Sequence, residues 1–294
     1  MLSELAAADT VTWLSIAVKT LTYATTLMAI GTPLLLVALR TPDREERQWL
    51  ARFGTFCAAL AILLVVLRLP IRASFLMGGT WDGATSGIML GMVADSPLGI
   101  SAAVRVLGLL LTAAILLRHR SGIVIGCLGA AIAAASFGLR GHTLEEPRIV
   151  LGLLITVHIL GLSFWWSALV PLIRAATHRS ANRVGELAHE FGQRALWIVL
   201  GLSLAGGTML ILFGITSVQA VSTPYGQAIL VKLTVFVLVL GIAASNKLKL
   251  TPSLLAGQSE ATARFRSSVC IEAVLILLVL ISTAGLTTLS APPK

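Results

Sequence analysis

Eight predominantly apolar stretches, each near or beyond the roughly 20 residues that cross a bilayer core, succeed one another along this 294-residue chain. Hydrocarbon offers the backbone no water, so an open-ended segment of that length satisfies its N–H and C=O groups only as an α-helix. The chain therefore reads as an all-α polytopic membrane protein. Its transmembrane helices are expected at Val11–Leu39, Ala51–Met77, Pro97–Leu117, Ser121–Leu139, Ile149–Ile173, Ala195–Ile215, Pro224–Asn246 and Ser267–Leu286. Composition agrees, because charged residues are 12% of the chain against about 25% in soluble domains. An ordinary cytosolic enzyme is excluded, and eight spans leave no length for a separate soluble domain.

The net charge of +9 is explained by loops on one side of a membrane rather than by nucleic acid. Arg40, Arg44, Arg47, Arg52, Arg118, Arg120, Arg174, Arg179, Arg183, Arg194, Lys247, Lys249, Arg264 and Arg266 fall in loops of one side, and Arg140, Arg148 and Lys294 on the other. That bias places both termini in the periplasm. Cys57, Cys127 and Cys270 all lie within apolar stretches, which argues against a disulfide framework. The opening MLSELAAADT lacks a basic region, so the first apolar run is expected to stay as a span rather than be cleaved as a signal.

The halves, 1–140 and 141–294, resemble each other. Arg52-Phe53-Gly54 opens the second span and Glu190-Phe191-Gly192 precedes the sixth, while Pro33 and Pro171 share an offset in the first and fifth. Ser96-Pro97-Leu98-Gly99 leads to Arg105 at the spacing by which Thr223-Pro224-Tyr225-Gly226 leads to Lys232. Ser or Thr before a first-turn Pro is a helix start with a mechanism. Two parallel four-helix pseudo-repeats follow, with sites expected near their interface.

Ionisable groups inside spans are costly and so mark function or pairing. Lys19, Arg68, Arg72, Arg105 and Lys232 are the cations; all but Lys19 fall in the outer third, where snorkelling to lipid headgroups competes with inter-span pairing. Glu272 is the one carboxylate inside a span, roughly 8 Å from the cytoplasmic end at 1.5 Å per residue. Lys232 is about as far from the opposite face, so the two are not expected to pair across a core some 30 Å thick. His119, His178 and His189 fall in arginine-rich loops. His142 caps the outer end of the fourth span, and His158 is near mid-membrane, where an imidazole must hydrogen-bond or hold metal. Met77, Met89, Met92 and Met209 lie toward the outer side and the three thiols toward the inner. Thioether, thiolate and imidazole all suit copper, although each of these residues also packs well in apolar helices. No phosphate-binding loop, zinc-protease or serine-hydrolase motif is present, and no enzymatic activity is expected.

Gly141-His142, His158 seven residues before Trp165, Phe191, Thr223-Pro224-Tyr225-Gly226 with Lys232, Asn246 and Pro252, and Arg266-Ser267-Ser268 before Glu272 occur in this order. In these the chain resembles the copper-resistance protein D family, over about its last two-thirds. Trp166-Ser167-Ala168 stands where that family usually has a Gly-rich turn, which weighs against close helix packing there, and no periplasmic copper-binding domain is expected at the C-terminus. The resemblance implies a bacterial inner-membrane protein that moves copper from periplasm to cytoplasm and receives it from a periplasmic copper protein of the CopC type. It carries over His142, His158, Trp165, Lys232 and Glu272; the methionines and cysteines are read from their chemistry alone. Two alternatives stay open. The outer cations also suit haem propionates, as in a b-type membrane electron carrier, although His142 lies about 10–15 Å nearer the surface than His158 by helical rise. A non-transporting scaffold that docks a periplasmic partner is the other.

Overall fold

Asp9 accepts a hydrogen bond from the Thr12 amide at 2.8 Å and so caps the first helix, α1, Thr10–Ala38. Asp43 does the same for Glu46 at 2.9 Å and opens α2, Arg44–Leu76. The short helices α3, Trp81–Thr85, and α4, Gly87–Ala94, lead to α5, Pro97–Thr112, and α6, Arg120–Ala135. Then follow α7, Arg148–His178, α8, Ala181–Leu212, α9, Pro224–Ser245, α10, Thr251–Leu255, and α11, Ser259–Leu289. This computed structural model describes residues 9–117, 119–215 and 224–289, with no strand among them. Eight helices among these residues are long and apolar enough to span a membrane, in the order the sequence predicts. Arg118, Thr223 and Lys294 lie outside the described residues, as do the side chains of His142 and Tyr225.

The expected boundaries need correcting at the arginine-rich end. There α2 begins at Arg44 rather than Ala51, α7 continues to His178, α8 begins at Ala181 rather than Ala195, and α11 begins at Ser259 rather than Ser267. Beyond Asn246 the chain makes a π-helical turn, Asn246–Leu250, and continues into α10 instead of entering a loop. His178 and His189 are accordingly helical. Hydropathy stops where hydrocarbon stops, but backbone hydrogen bonds continue into water, and the caps decide where a helix begins.

The central element is α1. In its apolar window 61% of residues are buried, against 11% in the window of α9 and α10. It packs on α2, α6, α7 and α11, while α7 packs on α1, α6, α8 and α11. Small residues make the α1–α7 crossing close. A Cβ on Gly31 would lie 2.1 Å from the Ser163 carbonyl oxygen and 2.2 Å from Ser167 Oγ. Ser167 donates toward the Leu27 and Met28 carbonyls at 3.2 Å, and Trp166 Nε1 donates to the Ala24 carbonyl at 3.1 Å. Trp166-Ser167-Ala168 thus does not loosen the packing as expected, because the missing glycine is supplied by the opposite helix. Gly108 and Gly129 bring α5 and α6 together in the same way.

At the arginine-rich end the loops interlock. Glu190 accepts from the Arg40 amide at 2.8 Å, the Thr41 amide at 2.9 Å and the Thr41 hydroxyl at 2.6 Å, and Arg179 pairs with Asp43 at 2.9 Å. Asp43 is held below the ordinary aspartate range first by the Glu46 amide and further by Arg179. Along their apolar lengths α2 and α5 pack together, whereas α8 and α9 scarcely touch. That gap positions the site.

Candidate functional site

Glu272 lies on α11 and is 3% exposed. Its Oε1 accepts from Asn246 Nδ2 at 2.6 Å and its Oε2 from Trp165 Nε1 at 3.3 Å. The three residues come from α11, the π turn after α9, and α7. The π turn is what aims Asn246 inward: the Thr251 hydroxyl donates to the Asn246 carbonyl at 2.9 Å and fixes the widened turn, a distortion found often at functional positions. Asn246 Oδ1 is buried and has no hydrogen-bond partner among the described residues. The carboxylate therefore has one strong and one weak donor, with an unused amide oxygen on the same side chain that supplies the strong one.

A cavity of about 290 Å³ opens between α8 and α9 and reaches these three residues. Its walls are apolar, with Phe191, Val199 and Leu240 among them, and Gly192 and Lys247 lie at its arginine-rich end. Lys247 Nζ donates to the Gly192 carbonyl at 3.1 Å, which bridges α8 to the π turn. When ionised, a carboxylate at the floor of an apolar cavity attracts a cation more strongly than the same group in water, since little solvent screens it.

His158 lies two helical turns from Trp165 and so projects from the same face of α7. Its ring packs against α8 where Gly206 leaves room, 3.8 Å from the position a Cβ there would occupy. Its Nδ1 is buried without a partner among the described residues. Lys232 lies within electrostatic range of both His158 and Tyr23. The partners of Glu272 are Trp165 and Asn246, and Lys232 is not among them.

Among the described residues no three of His, Cys, Asp or Glu converge as a metal site. Cys57 is buried, Cys127 half-buried and Cys270 exposed, on three different helices. Met77 and Met92 are exposed, Met89 is half-buried and Met209 is buried on α8. Arg105 does not snorkel. It is 1% exposed, donates to Ser136 Oγ at 3.0 Å and Ser101 Oγ at 3.4 Å, and lies 3.7 Å from the Phe137 ring centroid. Of the two readings open for it, burial favours inter-span contact over snorkelling: two serine hydroxyls and an aromatic face stand in for water. Asn246 is the residue whose part sequence reasoning did not assign. Its signal was present, as a lone amide at the end of an apolar run before Lys247, but nothing local tells a π turn from a helix end.

Two family models match the chain. One, described as Copper resistance protein D, covers residues 185–286, and the other, described as Copper resistance protein D-like, N-terminal domain, covers residues 8–146. Together they take in most of the sequence, with His158 and Trp165 in the segment between them. No curated protein and no solved structure matches.

Proposed function

Because the chain belongs to the copper resistance protein D family of copper-resistance membrane proteins, we propose that it carries copper across the bacterial inner membrane from periplasm to cytoplasm. The observation that carries this reading is Glu272, a buried carboxylate held by Trp165 and Asn246 at the floor of a cavity between helices that have parted. A carboxylate in a span is retained against its insertion cost when it serves transported ions or protons.

In this reading copper is cargo, taken from a periplasmic copper protein of the CopC type on the side of His142, Met77, Met89 and Met92. It passes Met209 and His158 and reaches Glu272 near the arginine-rich, cytoplasmic end. Lys232, within electrostatic range of His158, sets the electrostatic barrier of that path, and Trp165 holds the carboxylate's second oxygen. The thiols, spread over three helices, act as separate soft contacts on the inner side. Both termini are then periplasmic, as the loop charges favour. The halves 1–140 and 141–294 are parallel repeats, a reading supported by α1 and α7 meeting at the centre while α2 packs on α1 and α8 on α7. The parting of α8 from α9 is the second half's departure from that symmetry.

The test is copper uptake into vesicles reconstituted with the full chain, with the metal offered in each oxidation state. Glu272→Gln keeps the shape and removes the charge. Uptake is expected to fall about tenfold or more, the effect of losing at least one 1.4 kcal/mol attraction for the cation, and His158→Ala is expected to fall as well. Uptake equal to the parent in both variants would overturn the proposal.

A further inference from the structure

At the end of the bundle away from the interlocked loops, cations from four elements meet around one tyrosine. Lys19 and Tyr23 are one turn apart on α1, Arg68 is on α2, Arg105 on α5, and Arg140 just beyond α6. Arg140 Nη2 lies 3.5 Å from Tyr23 Oη, and the Arg105 and Arg140 guanidinium groups both lie over the Phe137 ring, at 3.7 and 5.8 Å. Lys19 Nζ donates to Thr288 Oγ1 at 3.3 Å. Lys19, Tyr23 and Arg105 are buried, and Arg68 and Arg140 are half-buried.

The charge balance of this cluster is one-sided. Among the described residues the charged groups acting most strongly on Lys19, Arg68 and Arg105 are one another, Arg72, Arg140 and Tyr23. Cations removed from water repel each other strongly, and such groups persist in proteins when an anion offsets them. The cluster also has an open side. Arg72, one turn from Arg68, is exposed, and Val66 and Leu67 beside it present bare apolar surface.

We propose that this cluster binds a phosphate group, that of an anionic membrane lipid, with Arg68 and Arg140 as its principal ligands and Arg72 at the rim. A guanidinium fork matches phosphate oxygens two at a time, and the exposed apolar face of α2 beside it suits acyl chains. The site stands apart from Glu272 and does not depend on the transport reading. Its occupant would offset the positive field that an approaching copper ion meets on this side.

The experiment is native mass spectrometry of the full chain in detergent, titrated with phosphatidylglycerol, with phosphatidylcholine and with inorganic phosphate. Phosphatidylglycerol is expected to bind more tightly than phosphatidylcholine. Arg68→Gln combined with Arg140→Gln is expected to weaken it about tenfold, the scale of one lost charge-assisted contact, while the Arg68→Lys and Arg140→Lys pair retains part of the binding. Competition by inorganic phosphate would support the site with the phosphate group alone as its determinant. Failure of inorganic phosphate to compete, with lipid preference intact, supports it with the lipid as the source. Should the glutamine pair not fold, Arg72→Gln carries the same test with a smaller loss. Equal affinity for the two lipids, or undiminished phosphatidylglycerol binding in variants that fold, would overturn the proposal.

Discussion

Glu272 is held by two donors of unequal quality, and that inequality can be measured. Interhelical hydrogen bonds in membranes contribute about 0.6 kcal/mol on average and up to about 1.7. The contact with Asn246 at 2.6 Å belongs near the upper value, and that with Trp165 at 3.3 Å at or below the mean. Double-mutant cycles with Asn246→Leu, Trp165→Phe and Glu272→Gln, read by unfolding in micelles, should give the larger coupling for Asn246. Asp43 makes a prediction of another kind. Its folded pKa is depressed by the Glu46 amide and then by Arg179, so its contribution is present above the unfolded aspartate value and lost as pH falls through the lower folded one. Stability measured against pH should show that acid limb weakened in Asp43→Asn, which keeps the cap but cannot titrate; an unchanged limb would contradict the assignment. At this scale the sequence was informative about identity and silent about partnership. Glu272 and Trp165 stood out singly, as a carboxylate in an apolar run and as part of a family pattern, but they are 107 positions apart, and no periodicity links them.

Between elements, the crossing of α1 with α7 is set by Gly31. Gly31→Ala places a methyl group 2.1 Å from a backbone oxygen that cannot swing away, and overpacking of this kind costs about 1–3 kcal/mol, occasionally more. Gly207→Ala, with nothing within 4 Å of the new methyl, should leave stability unchanged or raise it by up to about 1 kcal/mol through helix propensity. Thermal unfolding of the two variants separates packing from propensity; equal loss in both would contradict the close crossing. The existence of the helices was legible because apolar length is a strong signal. Their extensions at the arginine-rich end were not, since Arg44 to Leu50 and Ala181 to Arg194 are polar stretches whose helicity depends on caps and on partners such as Glu190 with Thr41. The π turn at Asn246 was equally hidden, being fixed by Thr251 from the following turn.

For the whole molecule, loop charge predicts that both termini face the periplasm. A C-terminal alkaline phosphatase fusion, active only when exported, should be active, and activity only from fusions in the loop after α7 would reverse the orientation. The gap between α8 and α9 belongs to this scale and could not be read from sequence, because both helices are as apolar as their packed counterparts and only the assembled bundle shows which faces lack a neighbour. The account rests on copper reaching the floor of that gap. Labelling of the reconstituted chain by an apolar carbodiimide, which attacks buried carboxyl groups, followed by peptide mass spectrometry, reports on that position directly. Modification at Glu272 should be slowed by copper and not by magnesium; a labelling rate at Glu272 that copper leaves unchanged would contradict the account.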